Sequence, residues 1–134
     1  MNYKPIILVA GEPNSIFFEI FLKIIKNYNF KSPLILICSK NILIKQSSFL
    51  KQKIDFNEIN QDVKNIKKYK LNKINLVNVD YNQAKPFEKI SFKSKKYIEK
   101  CFDIGLKIMK SGISDKFING PISKEKFLKN KHIG

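Results

Sequence analysis

Two unbroken apolar runs, Pro5–Ala10 (PIILVA) and Pro33–Ser39 (PLILICS), constrain this chain more than any other feature. A run with no polar alternation, closed by turn residues, fits a strand covered on both faces. Strands of that kind belong to parallel sheets, and parallel strands need crossover helices between them. The chain supplies the helices. From about Ser15 to Asn27 the apolar residues Ile16, Phe17, Ile20 and Ile24, with Phe18, Phe21, Leu22 and Ile25, predict a helix covered on most sides. Asn14 or Ser15 can cap it, and Pro13 suits the turn before it.

The alternation continues. Ser39 can cap a helix over 41–51 with Ile42, Leu43, Ser47 and Leu50 on one side. A short strand over 54–59 follows, then a polar, ambiguous stretch over 62–70. Lys73–Val79 (KINLVNV) alternates as a strand, and 80–91 reads as a long connection. Ser94–Lys110 carries an apolar face at helical spacing, and Gly112 ends it as a C′ residue. Asp115–Asn119 is a last short strand, Gly120 and Pro121 turn the chain, and Ser123 caps a helix to about Lys129. The fold class is therefore α/β with a mostly parallel sheet. Residues 1–134 read as one α/β unit of unknown role, with the end at Gly134 falling inside the fold.

Composition excludes some functions. At 43% apolar the chain is globular. It has no apolar run long enough to span a bilayer and no signal-peptide pattern, which makes the cytoplasm the expected compartment and a membrane partner unexpected. The formal charge of +15 invites a nucleic-acid reading. However, every basic residue is lysine, and Lys, Asn, Ile and Phe are all abundant. Biased composition explains that pattern better than a reader of nucleic acid, which relies on arginine for bidentate contacts. Cys38 and Cys101 have neither a CxxC partner nor metal-ligand spacing and read as buried thiols. His132 is the single histidine, so the sequence offers no metal site and no catalytic constellation within the chain.

Two turns remain as site candidates. Gly11-Glu12-Pro13-Asn14-Ser15 closes the first strand and opens a helix. Asn119-Gly120-Pro121-Ile122-Ser123-Lys124 repeats that design. Ligands of open parallel sheets bind at the carboxyl ends of strands, where helix N-termini offer free N–H groups to anions. Neither turn is a nucleotide P-loop or a dinucleotide fingerprint. Each read alone is an ordinary capped turn.

Together they resemble the 4-hydroxythreonine-4-phosphate dehydrogenase family of vitamin B6 synthesis. ILVAGEPNSI is similar to the family's opening strand and Gly-Glu-Pro turn, and DKFINGPISKEKFLKNKHIG to its strand and Thr-Gly-Pro-x-x-Lys turn. The chain departs from that pattern where Asn14 to Phe18 replace Ala-Gly-Ile-Gly-Pro and where Asn119 replaces threonine. The resemblance implies a three-layer α/β/α fold like that of isocitrate and isopropylmalate dehydrogenases, truncated here, with residues 1–134 as the N-terminal part of one α/β enzyme. It implies NAD-dependent oxidation and decarboxylation of 4-phosphooxy-L-threonine to 3-amino-2-oxopropyl phosphate, with a divalent metal ion and a homodimer. Lys124, Glu12 and Gly120 are the expected substrate-side residues. The NAD-binding residues are not identifiable, and the metal histidines are expected beyond Gly134, so the chain alone is expected to be inactive. Two alternatives are a basic, non-enzymatic anion- or nucleic-acid-binding domain and a related α/β enzyme of different chemistry.

Overall fold

The computed structural model of the chain describes residues 3–27, 29–62, 69–71 and 73–123. Five strands form one all-parallel sheet: β1 (Ile6–Val9), β2 (Leu34–Cys38), β3 (Phe56–Ile59), β4 (Ile74–Asn78) and β5 (Lys116–Asn119), in the spatial order β3-β4-β2-β1-β5. Helices α1 (Phe17–Asn27) and α2 (Lys40–Phe49) pack on one face, and α3 (Lys95–Lys110), preceded by a 3-10 turn at Phe92–Ser94, packs on the other. The fold is thus the three-layer α/β type the sequence predicts. The expected helix from Ser123 to Lys129 and most of the ambiguous stretch, 63–68, lie outside the described residues.

The apolar runs form the central strands because both their faces are covered. Ile7, Val9, Ile35 and Ile37 pack beneath α3 with Ile98, Cys101 and Ile108. Leu8, Ala10, Leu34, Leu36 and Cys38 pack beneath α1 and α2 with Phe18, Phe21, Ile42 and Leu43. Cys38 and Cys101 are buried free thiols. Burial, the largest cause, raises both thiol pKa values, Cys101 to about 12, so neither is a thiolate near neutral pH.

Caps fall where local chemistry puts them. The Ser39 hydroxyl accepts the Ile42 N–H at 3.2 Å, and Gly112 adopts φ +87° after α3. Asn14 does not cap α1. The Ser15 hydroxyl accepts the Phe17 N–H instead, at 3.3 Å. A second difference concerns α1 itself. Among the described residues it is covered on one side only, and Ile20 and Ile24, with Ile16 just before the helix, are 47%, 40% and 60% exposed.

Helix α2 ends in a Schellman turn, with Gln52 N–H bonded to Ser47 O at 2.9 Å and Lys51 N–H to Ser48 O at 3.0 Å. Lys51 occupies the left-handed C′ position at φ 56°, a site that suits glycine. Lys51→Gly is expected to stabilise the fold by about 0.5–1 kcal/mol, the relief of strain being partly offset by the freer unfolded chain. A urea-denaturation midpoint that stays put or falls would contradict this.

Candidate functional site

In an all-parallel sheet every strand ends on the same rim, so the turns after β1 and β5 must share one edge of the molecule. Register brings them into contact, because Val9 and Asn119 are partners at the ends of adjacent strands. The Gly120 N–H donates to Val9 O at 2.7 Å, and the Glu12 N–H donates to Pro121 O at 2.8 Å. Chain order also reverses at β1, with β2 on one side and β5 on the other. That arrangement marks the ligand crevice of open α/β sheets.

The approach is close enough to exclude side chains. A Cβ on Gly120 would lie 2.1 Å from Ala10 O and 2.8 Å from the Phe17 ring. One on Gly11, at φ +79°, would lie 2.6 Å from Pro121 O. Both glycines are therefore demanded by the contact between the two corners.

Glu12 is 3% exposed and points inward. Its Oε2 accepts the Ser94 hydroxyl at 2.8 Å, and its Oε1 accepts the Asn14 N–H at 3.4 Å. The carboxylate thus ties the β1 corner to the start of α3. Burial raises its pKa above the usual 4.5, and the hydrogen bonds from Ser94 and Asn14 offset that rise in part. The protonated form is favoured in the folded state, so this group's contribution to stability falls as pH rises from the unfolded pKa through the folded one. Glu12→Gln, which keeps an acceptor for Ser94, is expected to flatten that fall. Urea titrations at several pH values above 4.5 check it, and a slope unchanged by the substitution would show that Glu12 does not cause the fall.

A polar network invisible in the sequence roofs the same rim. Asn14 Oδ1 accepts Gln83 Nε2 at 2.7 Å and the Glu88 N–H at 2.9 Å. Gln46 Nε2 donates to Pro13 O at 2.7 Å and Pro86 O at 2.8 Å, and the Lys45 ammonium donates to Gln83 O. Ser39 adds to it, its N–H donating to the Tyr97 hydroxyl at 2.8 Å and its own hydroxyl donating to Tyr81 O at 2.8 Å. The long connection after β4 is thereby fastened across the carboxyl ends of β1 and β2. Gln46 and Gln83 gave no signal in the sequence, because their partners lie tens of residues away.

Of the predicted site residues, the structure brings Glu12 and Gly120 together, while Lys124 lies outside the described residues, as does His132. Among the described residues no three His, Cys, Asp or Glu side chains are grouped to hold a metal ion, and no helix is long and apolar enough to cross a membrane. A cleft of about 690 Å³ lies on the opposite rim, and Lys26, Lys51, Lys53 and Lys73 are among its lining residues. It lies at the amino ends of β2 and β4, away from both corners.

No protein-family model and no curated protein matches the chain. Solved structures do. A 4-hydroxythreonine-4-phosphate dehydrogenase from Burkholderia phymatum superimposes with a TM-score of 0.78 at 16% identity, covering 93% of this chain and 38% of that one. The enzyme from Klebsiella pneumoniae gives a TM-score of 0.73 at 14% identity, covering 92% of this chain and 39% of that one. The chain spans well under half the length of the structures it matches. At this identity the likeness is one of fold: the chain has the architecture of a part of 4-hydroxythreonine-4-phosphate dehydrogenase.

Proposed function

We propose that the chain supplies one rim of the substrate pocket of an NAD-dependent dehydrogenase that oxidises and decarboxylates 4-phosphooxy-L-threonine to 3-amino-2-oxopropyl phosphate. The observation that carries this reading is the interlock of the two glycine–proline corners at the carboxyl rim. It is supported by the fold likeness and by the resemblance of both turns. In this reading Gly11 and Gly120 let the corners meet, Glu12 braces them from within, and Lys124 faces the substrate phosphate or carboxylate. A divalent metal ion and NAD serve the complete enzyme, which acts as a cytoplasmic homodimer. Among the described residues no three His, Cys, Asp or Glu side chains group to hold that ion, and this reading assigns its ligands to residues beyond Gly134.

The test is NADH formation from 4-phosphooxy-L-threonine by the chain mixed with the complementary part of the Klebsiella enzyme. Activity is expected only in the mixture, and Lys124→Ala is expected to raise KM about tenfold with kcat largely kept. A mixture that associates but forms no NADH would overturn the reading.

A second reading, a basic anion- or nucleic-acid-binding domain, is favoured by one observation, the four lysines of the opposite-rim cleft. It requires DNA affinity that falls steeply with salt and is lost when those lysines become glutamine.

A further inference from the structure

We infer that the cleft at the amino ends of β2 and β4 is a binding site for a small phosphomonoester with an apolar body. Its volume is about 690 Å³, and small-molecule pockets run from about 300 to 1,000 Å³. None of its described lining residues belongs to either glycine–proline corner. The inference therefore stands whether or not the dehydrogenase reading does.

The wall of the cleft is cationic. Lys26 comes from the last turn of α1, Lys51 and Lys53 from the turn between α2 and β3, and Lys73 from the residue before β4. Asp55 is the one carboxylate among the described lining residues, and Lys73 already neutralises it at 3.1 Å. Lys26, Lys51 and Lys53 form no ion pair among the described residues. Three unpaired ammonium groups thus border one concavity. A phosphomonoester carries about two negative charges at pH 7, and lysine binds phosphate as a point charge. The floor is apolar. Ile25, Leu34, Ile54 and Ile74 line it and belong to the core cluster beneath α1 and α2. Inorganic phosphate would leave that floor wet, so the ligand needs an apolar body to cover it.

Backbone strain separates this site from a solvated lysine face. Helices α1 and α2 both end at this rim, where their last carbonyls carry partial negative charge. Lysine is ordinary beside such an end, and Lys26 alone would signify nothing. Lys51 is different. Among the described residues it is the one non-glycine at positive φ, and glycine would close the same Schellman turn without strain. Such outliers gather at ligand clamps, where the strain serves a function. The turn is also held still. Gln52 N–H bonds Ser47 O at 2.9 Å, and Gln52 Nε2 donates to Leu22 O at 2.7 Å, which ties the turn to α1. Lys51 and Lys53, on either side of Gln52, are therefore carried on a preorganised backbone. A nucleic-acid strand matches less well. It calls for a basic track along its backbone, whereas these lysines surround one concavity.

The experiment titrates the chain with phenyl phosphate, hexyl phosphate and inorganic phosphate by calorimetry, with a single-stranded oligonucleotide as competitor. One-to-one binding of either ester is expected, about tenfold or more tighter than inorganic phosphate. Lys51→Gly is expected to raise the urea-denaturation midpoint while weakening the ester about fivefold, a pairing that a merely structural lysine would not give. Lys26→Gln with Lys53→Gln should weaken it about tenfold or more. Lys107→Gln, on an exposed position of α3, should leave it unchanged. No saturable binding of either ester would overturn the inference, as would equal affinity for inorganic phosphate or affinity untouched by the cleft substitutions. Displacement of the ester by the oligonucleotide would also overturn it and assign these lysines to nucleic acid.

Discussion

Gly120→Ala is expected to destabilise the chain by about 3 kcal/mol or more, among the largest losses for any single methyl group added to it. The new Cβ would sit 2.1 Å from Ala10 O, a backbone atom just past β1 in a residue whose N–H bonds Ile37 O at 3.3 Å. A flexible side chain could swing away from such a clash, but a backbone carbonyl at a strand end hydrogen-bonded on both sides cannot. Relief would require the corner to move outward and break the Gly120 N–H bond to Val9 O. Gly11→Ala faces the reciprocal wall, Pro121 O at 2.6 Å, and adds left-handed strain at φ +79°. Gly112→Ala is the control. It carries a similar φ of +87° with nothing within 4 Å, so it should cost only the backbone term, about 1 kcal/mol. Urea-denaturation midpoints of the three variants decide the matter. Equal losses for Gly112 and Gly120 would mean that the corners do not press on each other, and the candidate site would lose its geometric basis.

The same contrast explains how much was legible in the sequence. PIILVA and PLILICS were readable as buried strands because burial on both faces removes every polar position, a signal local to each run. Ser39 and Gly112 were readable because caps depend on neighbouring backbone alone. That the two glycine turns share a rim followed from parallelism, which the strand–helix alternation implied. Other features depend on distant parts of the chain. Asn14 reads as a helix cap, but in the fold it holds Gln83 and Glu88. The sequence does not reveal that the Glu12 carboxylate accepts the hydroxyl of Ser94, a residue legible only as a helix start. On α2 the apolar side was read through Ile42, Leu43, Ser47 and Leu50. The structure buries the first three and puts Gln46 in the core, while Leu50 is half-exposed. The spread of apolar positions round α1 predicts cover on most sides. Its outer isoleucines are exposed because the described fold places no layer beyond them. Local pattern reports what a segment can bury, and the topology decides what is there to bury it.

Asn75 is the second position where a small change should cost most, and it is one the alternation in KINLVNV does not reveal. Read as a polar residue in an alternating strand, it belongs on a solvated face, yet it is fully buried in β4. Its amide fastens three pieces of backbone. Nδ2 donates to Leu34 O at 3.0 Å and Lys70 O at 2.9 Å, with Lys73 O at 3.2 Å, and Oδ1 accepts the Lys70 N–H at 2.7 Å and Asn57 Nδ2 at 3.0 Å. An alanine would strand several of these groups without water, each at about 1–3 kcal/mol. Allowing for partial relaxation, Asn75→Ala should cost about 3–4 kcal/mol. Asn75→Asp should cost nearly as much, since a carboxylate keeps the acceptor but cannot donate to Leu34 O or Lys70 O. Asn57→Ala, which removes only the outermost of the five contacts, should cost under about 1 kcal/mol. The consequence reaches the candidate site through β4. This strand carries the chain to Val79, whose N–H bonds Cys38 O at 3.0 Å, and then into the connection that roofs the rim. In Asn75→Ala, hydrogen exchange should therefore quicken first in β3, β4 and residues 79–91, with β1 and β5 protected longer. Uniform loss of protection across the sheet would mean that the rim is held from the β1–β5 side alone, and that the roof contributes nothing to its rigidity.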